Sequence, residues 1–406
     1  MSALPSPEPS QPLAHVNRNL WLLAACQGLF LTNNVVFIAI NGLVGLALAP
    51  WGWMATLPVM GYVVGGALST GLVAQSQRRF GRRVSFQLGG VVGLLSALLC
   101  AYAAFDRNFW LLCAATVVAG YYNANAGLYR FAAAELSPPQ SREKAISLVL
   151  AGGLLGAVLG PNLAARTRDM FAVPFAGAYL ALAVVAVLGL VLLSFIEFAP
   201  APPKSAAKAA RPLSEIMRQP VFIVAALSGA LGYGVMNLLM AATPIAMQQC
   251  ALPFSDAALV LQWHVIGMFA PGFFTGSLIK RFGPLPVMAA GLALNAACVA
   301  IALSGVALEN FTIALLMLGV GWNFLFTGST TLSLSAYSPE EKDAAQAALN
   351  FFVFATLAIS SFSSGVMITT QGWSLLNYSS LAPLVIIALA LAWLARKVRS
   401  AVPATP

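Results

Sequence analysis

Charge is scarce in this chain, and no carboxylate is found in the middle of an apolar stretch. Charged residues make up 8% of the 406 residues, whereas hydrophobic residues make up 60%. A soluble domain of this length has no means of burying so much apolar surface, so lipid must form part of its solvent. Strand-like alternation is absent and irregular backbone cannot face lipid. The composition therefore predicts an all-α integral membrane protein.

The residues that build enzyme and metal centres are equally scarce. The chain has two histidines, twelve Asp and Glu, and no HExxH or GxSxG sequence. Its five scattered cysteines, without a CxxC, are typical of small packing residues. An integral enzyme needs clustered ligands or a nucleophile with its base. We therefore expect no enzymatic activity, no metal and no cofactor; a non-transporting receptor stays open as a second class.

Twelve apolar runs are each long enough to cross a bilayer, which takes about 20 residues of helix. One six-helix bundle is expected at residues 18–198 and another at 220–395, joined by a linker at 199–219 rich in Pro, Ala and basic residues. The proline-rich tail 1–17 has no apolar core and is expected to be disordered, and 396–406 forms a second tail. The expected spans are Leu20–Leu48, Trp53–Val73, Val84–Phe105, Phe109–Leu136, Lys144–Ala164, Pro174–Phe198, Val221–Gln248, Ala257–Lys280, Pro284–Gly305, Phe311–Tyr337, Ala344–Thr369 and Trp373–Ala395.

The connection between the second and third runs is strongly basic. Residues 71–83 read GLVAQSQRRFGRR. Because positive loops stay on the cytoplasmic side, both termini are expected in the cytoplasm of a bacterial inner-membrane protein. All but three of the 21 Lys and Arg then fall on the inner side or in the tails, and the exceptions are Arg107, Arg166 and Arg168. The net charge of +9 reflects these loops, and no nucleic-acid partner is expected.

Three sequence landmarks recur half a chain apart, which predicts an internal duplication. Two of the offsets are 202 residues and the third is 201. Two six-helix halves in parallel repeat, packed around a midplane site, are typical of transporters that rock between two states. The landmarks are Phe80-Gly81 with Phe282-Gly283, Asn108-Phe109 with Asn310-Phe311, and Ser137-Pro138 with Ser338-Pro339.

Amide and aromatic side chains take the place of charge inside the spans. Gln27, Asn34 and Asn41 recur every seven residues and so share one helix face. Amides also join helices and aromatics also mark the headgroup level. The set favours a cavity for a planar, neutral or weakly charged solute, because buried amides need partners and aromatics stack on flat rings. The candidate substrate-binding residues are Gln27, Asn33, Asn34, Asn41, Tyr121, Tyr122, Asn125, Tyr129, Tyr233, Asn237, His264, Trp322 and Asn323.

Two charged or titratable residues inside the spans have more than one interpretation. An intramembrane carboxylate, the usual proton-coupling group, is not expected, so His264 is the remaining mid-span titratable group. It is either hydrogen-bonded to a neighbouring helix, or a proton relay or ligand contact. Arg130 either reaches the cytoplasm, pairs with Glu135 or Glu143, or attracts an anionic group of a substrate.

At the basic loop the chain resembles the major facilitator superfamily. Phe80-Gly81-Arg82-Arg83 match the second part of the family's loop signature, and a second copy keeps Gly276 with residues 281–283. The signature's Asp is missing, since Gln75 or Arg78 stands there in the first copy and Lys280 in the second. The resemblance implies twelve transmembrane helices, a cavity lined by the first, fourth, seventh and tenth spans, and a cytoplasmic gate at this loop. Glu135, near the cytoplasmic end of the fourth span, is a candidate to offer a substitute carboxylate to Arg82 or Arg83. The implied gate residues are Arg78, Gly81, Arg82, Arg83, Arg130, Glu135, Arg281 and Gly283.

Residues 152–161, GGLLGAVLGP, partly resemble the fifth-span signature of the superfamily's antiporter branch. Close helix packing through small residues with a proline bend is the other interpretation. Thr116 occupies the position of the fourth-span arginine that is typical of proton-coupled drug exporters.

The resemblance implies a monomeric secondary active or facilitative carrier of a small organic solute that works by alternating access. A weaker whole-sequence resemblance to bacterial vitamin carriers, including riboflavin permease-like members, narrows the hypothesis to uptake of a planar vitamin-like compound. A proton remains a candidate coupling ion. The alternative is a drug or metabolite exporter that acts as a proton antiporter.

Overall fold

The computed structural model describes residues 18–138, 142–198, 211–338 and 340–401, without the side chains of 142–144, 342–343 and 399–401. These residues form helices and turns only. The tail 1–17, the linker up to residue 210 and the Glu143 side chain lie outside the described residues. The helices are α1 (Arg18–Leu48), α2 (Leu57–Phe105), α3 (Phe109–Ala126), α4 (Tyr129–Glu135), α5 (Arg142–Thr167), α6 (Ala176–Ser194), α7 (Leu213–Met217), α8 (Pro220–Gln249), α9 (Phe254–Phe269), α10 (Gly272–Phe282), α11 (Pro284–Ser304), α12 (Leu308–Ser333), α13 (Lys342–Thr370) and α14 (Gly372–Ala401).

The lengths of these helices confirm the all-α membrane class. Within the described part of the chain, nine helical stretches are long and apolar enough to span a bilayer, and α9 with α10, bent by 40°, makes a tenth. One stretch, Gly52–Phe105, has 54 residues, about twice the length that a span needs. If this stretch counts as two spans and α3 with α4 as one, the arrangement is consistent with the expected twelve.

The basic connection between the second and third spans is more helical than expected from the sequence. The chain remains helical from Leu57 to Phe105 and departs from helical dihedrals at Gly81, where φ is 77° and ψ is 172°. The preceding residues AQSQRR include good helix formers and contain neither proline nor glycine, so they extend the helix beyond the apolar run. The glycine is required because side-chain-bearing residues rarely adopt this conformation. We refer to residues 57–80 and 82–105 as the two arms of α2.

The glycine-rich stretch of α5 packs directly on α1. A Cβ on Gly152 would overlap the carbonyl oxygen of Ala24, and one on Gly156 would lie 2.6 Å from the amide nitrogen of Thr32. Backbone contact this close is possible only for the smallest residues. The close-packing interpretation of residues 152–161 is therefore confirmed.

Contacts between the first half of the bundle (α1–α6) and the second half (α8–α14) cluster at the end away from the basic connection. The Thr56 hydroxyl donates to the Ser361 carbonyl at 2.5 Å, and Asn162 donates to the Gln262 side chain at 2.8 Å. The rings of Phe175 and Phe254 meet at 4.9 Å. We call this the closed end, and the end that carries Gly81 the basic-loop end.

Candidate substrate cavity between the two halves

An aromatic cluster lines the second half where α8 and α12 meet. The rings of Trp322 and Phe326 stack at 5.2 Å with an interplanar angle of 9°, as residues four apart on one helix face allow. Tyr233 meets both rings edge-on, at 5.0 and 5.3 Å. The indole N–H of Trp322 is buried and has no hydrogen-bond partner among the described atoms. A flat ring surface with an unused donor beside it is suited to a planar solute that carries acceptors.

A polar cluster lies on the first half. Asn34 donates to the Tyr62 hydroxyl at 3.2 Å, and Asn33, the preceding residue of α1, is buried beside it. Tyr62 packs against Phe37, with ring centroids 5.2 Å apart. Tyr62 was not among the predicted cavity residues, because only the first, fourth, seventh and tenth spans were expected to line the cavity. The available signal was a lone tyrosine in the middle of an apolar second span.

The two clusters face each other across the interface between the halves. Tyr62 and Tyr233 belong to different halves and lie within electrostatic range of each other. Arg130 also interacts electrostatically with Tyr233, while its side chain remains solvent-accessible. The Arg130 guanidinium lies over the Phe131 ring, 4.9 Å from its centroid. We call the following set the central cluster: Asn33, Asn34, Tyr62, Arg130, Tyr233, Trp322 and Phe326.

Two predicted cavity residues of the second half instead bond to neighbouring helices. Asn237 donates to the hydroxyls of Ser360 and Ser361 at 2.9 and 2.8 Å, which joins α8 to α13. Asn323 donates to the carbonyl of Met268 and accepts from Thr275, both at 2.7 Å. Asn323 thereby spans the break between α9 and α10. These amide groups are occupied by helix–helix contacts.

Two amides of the first half have the same kind of environment. Asn41 is fully buried and accepts the hydroxyl proton of Tyr179 at 2.5 Å, which joins α1 to α6. Asn125 donates to the carbonyl of Ser85 at 2.9 Å, which joins α3 to the second arm of α2. Both residues lie where helices touch rather than among the residues of the central cluster.

The tyrosines of the fourth span point in different directions. Tyr122 packs edge-on against Phe30 at 5.5 Å, and Tyr129 packs against Phe86 at 4.9 Å. Both are buried in the first half. Gln27 is also buried, on α1. Tyr121 lines a separate crevice beside α2, because neighbouring helical residues differ in direction by about 100°.

His264 holds two helices of the second half together. Its ring is fully buried, and Nδ1 lies 2.7 Å from the Leu315 carbonyl oxygen. A carbonyl oxygen only accepts, so Nδ1 carries a proton and donates it to this contact. Nε2 has no partner among the described atoms. His264 makes none of the contacts that define the central cluster.

The predicted gate residues of the first half are paired at the basic-loop end. Arg82 contacts both carboxylate oxygens of Glu135, with Nε 2.8 Å from Oε2, and it also donates to Gln77 at 2.6 Å. Arg83 donates to the Ser194 carbonyl at 2.6 Å. Glu135 thus supplies the carboxylate that the loop lacks, and this contact ties the α2 connection to the end of α4. Arg78 is exposed and makes no ion pair with any described carboxylate.

An ion pair that was not predicted from the sequence joins the chain before α7 to the second half. Arg211 donates to Glu341 through Nε and Nη2, both at 2.7 Å, and Glu341 also accepts the amide N–H of Ser338 at 2.9 Å. Hydrogen bonds to Arg211 hold the pKa of Glu341 well below its usual range. The pair fixes the chain before α7 to the connection between α12 and α13. Arg281 of the second copy lies over the Phe282 ring at 5.1 Å.

A family comparison identifies this architecture. The model of the Major Facilitator Superfamily matches residues 20–261 and 225–406. The chain belongs to the major facilitator superfamily. Membership together with the apolar helices makes it an integral membrane transporter of a small solute and not an enzyme.

Related transporters of the superfamily agree with this assignment. The chain is 39% identical over 365 residues to a protein named riboflavin transporter RfnT from Brucella anthropi. The aligned region covers 89% of this chain and 92% of the relative. Two crystal structures share the fold. The nucleoside transporter NupG superposes with a TM-score of 0.75 at 12% identity, covering 92% of this chain and 99% of that one. A bacterial homologue of the human lysosomal transporter Spinster, inward-facing and occupied, gives a TM-score of 0.70 at 16% identity, covering 93% and 96%.

Proposed function

We propose that this superfamily member carries riboflavin across the membrane. The observation that carries the proposal is the 39% identity, over nearly the full length of both chains, to a riboflavin transporter. The stacked Trp322–Phe326 pair supports it independently, because a flavin is a planar fused-ring system that stacks on aromatic faces. The central cluster contains no carboxylate, and Arg130 is the one charged side chain in this set, which suits a neutral or weakly charged solute.

The two sides of the central cluster have complementary tasks in this proposal. Trp322, Phe326 and Tyr233 contact the flat face of the ring system. Asn33, Asn34 and the Tyr62 hydroxyl bond to its polar edge or to its hydroxylated chain. The unpartnered indole N–H of Trp322 donates to a ring acceptor, which satisfies a buried donor that is otherwise unused.

We propose that the described conformation is inward-facing, with both termini in the cytoplasm of a bacterial inner membrane. The contacts between the halves at the closed end support this orientation, as do the arginines at the other end. The moving units are the bundles 18–198 and 220–395, joined by the linker 199–219. One chain supplies both sides of the central cluster, so the proposed unit is a monomer.

We propose facilitated transport rather than proton coupling. His264 is occupied by the Leu315 carbonyl and lies apart from the central cluster, and no described carboxylate belongs to that cluster. The exporter alternative has weaker support. The α5 glycines are explained by packing on α1, and Thr116 is buried and bonded to the Cys113 carbonyl at 2.8 Å.

Purified protein in proteoliposomes provides the test. Radiolabelled riboflavin should enter until its concentrations are equal, at a rate that saturates, with or without an imposed proton gradient. Unlabelled riboflavin should compete, whereas xylose and a nucleoside should not. Protein-free vesicles and the Phe326→Ala variant serve as controls. Uptake of riboflavin no faster than into empty vesicles would refute the substrate assignment, and accumulation against its gradient only with a proton gradient would refute facilitated transport.

A further inference from the structure

A crevice lies beside α2 and is bordered by Tyr121 of α3. Its volume is about 390 Å³, and it is lined by both arms of α2 together with Tyr121 of α3. Leu72 and Leu88 on its walls are 58% and 41% exposed, so it opens to the outside of the bundle. In a membrane protein this outside surface faces lipid at most depths. The main lining residues are Leu72, Ser76, Arg79, Leu88, Val92 and Tyr121.

One end of this crevice is polar, although most of its wall is apolar. Arg79 lies at the basic-loop end, is exposed, and forms no ion pair with a carboxylate among the described side chains. Ser76 is one helical turn away and 7% exposed, and its hydroxyl has no hydrogen-bond partner among the described atoms. A buried hydroxyl without a partner is costly. The crevice thus offers a cation and an unused hydroxyl next to an apolar channel.

We propose that this crevice binds one anionic phospholipid. An acyl chain lies along Leu72, Leu88 and Val92, and the phosphate contacts the Arg79 guanidinium and accepts from the Ser76 hydroxyl. A phospholipid fits better than a free anion because the polar groups are at one end only and the apolar remainder opens toward the bilayer. Basic pockets between transmembrane helices on the cytoplasmic side bind anionic headgroups in this way, and Arg pairs strongly with phosphate.

The position of the crevice links the lipid to the gate. Both arms of α2 form its walls, and the arms meet at Gly81, next to the Arg82–Glu135 pair. A bound lipid therefore braces the angle between the arms. The proposal is independent of the riboflavin assignment, because binding is measured without substrate.

Native mass spectrometry of delipidated protein tests the proposal with phosphatidylglycerol and phosphatidylcholine as probes. One phosphatidylglycerol should remain bound at concentrations where phosphatidylcholine does not. Arg79→Gln should weaken this binding about fivefold, as expected for loss of one basic residue at an anionic headgroup. Arg281→Gln is the matched control, since Arg281 lies over Phe282 as Arg79 lies over Phe80, at 5.1 and 5.2 Å. It should leave the affinity unchanged.

A second variant tests the apolar part of the site. Leu72→Trp is tolerated because Leu72 is largely exposed, and the larger ring should displace the acyl chain and reduce binding of phosphatidylglycerol. Equal binding of both lipids, or equal weakening by Arg79→Gln and Arg281→Gln, would overturn the proposal. Glycerol 3-phosphate that binds as tightly as the full lipid would replace it with a site for a free phosphate.

Discussion

Gly81 and Gly283 adopt nearly the same rare backbone conformation, 202 residues apart. Their φ and ψ angles are 77° and 172° for the first, and 84° and 165° for the second. Each follows an Arg-Phe pair in which the guanidinium lies over the ring, at 5.2 and 5.1 Å. A repeated Phe-Gly dipeptide in the sequence thus corresponds to a repeated helix break in the structure, because few residues other than glycine tolerate these angles.

The Arg82–Glu135 contact gives the first prediction, which concerns the gate. Arg82→Ala and Glu135→Gln should each slow riboflavin exchange several-fold and leave its Kd within about twofold. The pair is partly exposed and lies outside the central cluster. Loss of the pair destabilises the conformation that contains it by about 0.2–1 kcal/mol. The populations of the two conformations therefore change, whereas the contacts with the substrate do not. Initial rates in proteoliposomes and fluorescence titration measure the two quantities.

Arg78→Ala is the matched control, because Arg78 belongs to the same connection but has no described carboxylate partner. It should transport at the normal rate. Reversing the pair with Arg82→Glu and Glu135→Arg together should restore part of the lost rate. A loss of affinity equal to the loss of rate would place Arg82 in the substrate site.

The pairing of Arg82 with Glu135 was predictable because the sequence offers few carboxylates near this connection. The choice between cavity and helix contact was not predictable for the amides. Asn34 and Asn41 share one face of α1, yet Asn34 meets Tyr62 and Asn41 meets Tyr179. Helical spacing gives the direction of a side chain, whereas its partner depends on which helix passes that level. Tyr62 and the Arg211–Glu341 pair were missed for the same reason, since each acquires its role from a distant segment.

Some amide and aromatic residues belong to the central cluster, whereas others bond to neighbouring helices. This difference gives the second prediction. Phe326→Ala should weaken riboflavin binding by a few-fold to about tenfold, since an aromatic pair contributes about 0.5–1.5 kcal/mol beyond area burial. Asn237→Ala should leave binding unchanged and lower the unfolding free energy by about 1–3 kcal/mol, because Ser360 and Ser361 lose a buried partner. Titration and thermal melting on the same two variants separate these effects. A stability loss without an affinity loss at Phe326 would remove the aromatic cluster from the binding site.

The Arg211–Glu341 pair gives the third prediction, which concerns pH. The folded-state pKa of Glu341 is lowered, chiefly by hydrogen bonds from Arg211. The carboxylate therefore stabilises the fold fully above the unfolded pKa of about 4.3, and this stabilisation is lost as the pH falls below that value. Glu341→Gln should lower the Tm at pH 7, and the difference from the unmodified protein should shrink as the pH falls below about 4. Glu340→Gln, an exposed neighbour, should leave the Tm unchanged; an equal effect of both variants would contradict the assignment.

The orientation gives the fourth prediction. In a background with all five cysteines replaced, Trp51→Cys and Met170→Cys should react with an impermeant thiol reagent from outside the cell. These positions are 59% and 63% exposed at the closed end. Arg78→Cys should react only after permeabilisation. Labelling of Arg78→Cys in intact cells would reverse the proposed orientation.

His264 gives the last prediction, which separates a structural role from a coupling role. In His264→Asn the side-chain amide nitrogen replaces Nδ1 and keeps the donor to the Leu315 carbonyl, whereas His264→Ala leaves that carbonyl without it. If the residue only joins α9 to α12, the Asn variant should have nearly the same Tm as the unmodified protein. The Ala variant should lose about 1–3 kcal/mol of unfolding free energy. Neither should change the dependence of riboflavin uptake on a proton gradient. A relay needs a ring that gains and loses a proton, which Asn cannot supply. Gradient-driven accumulation that is present in the unmodified protein and absent in the stable Asn variant would therefore establish His264 as the coupling group.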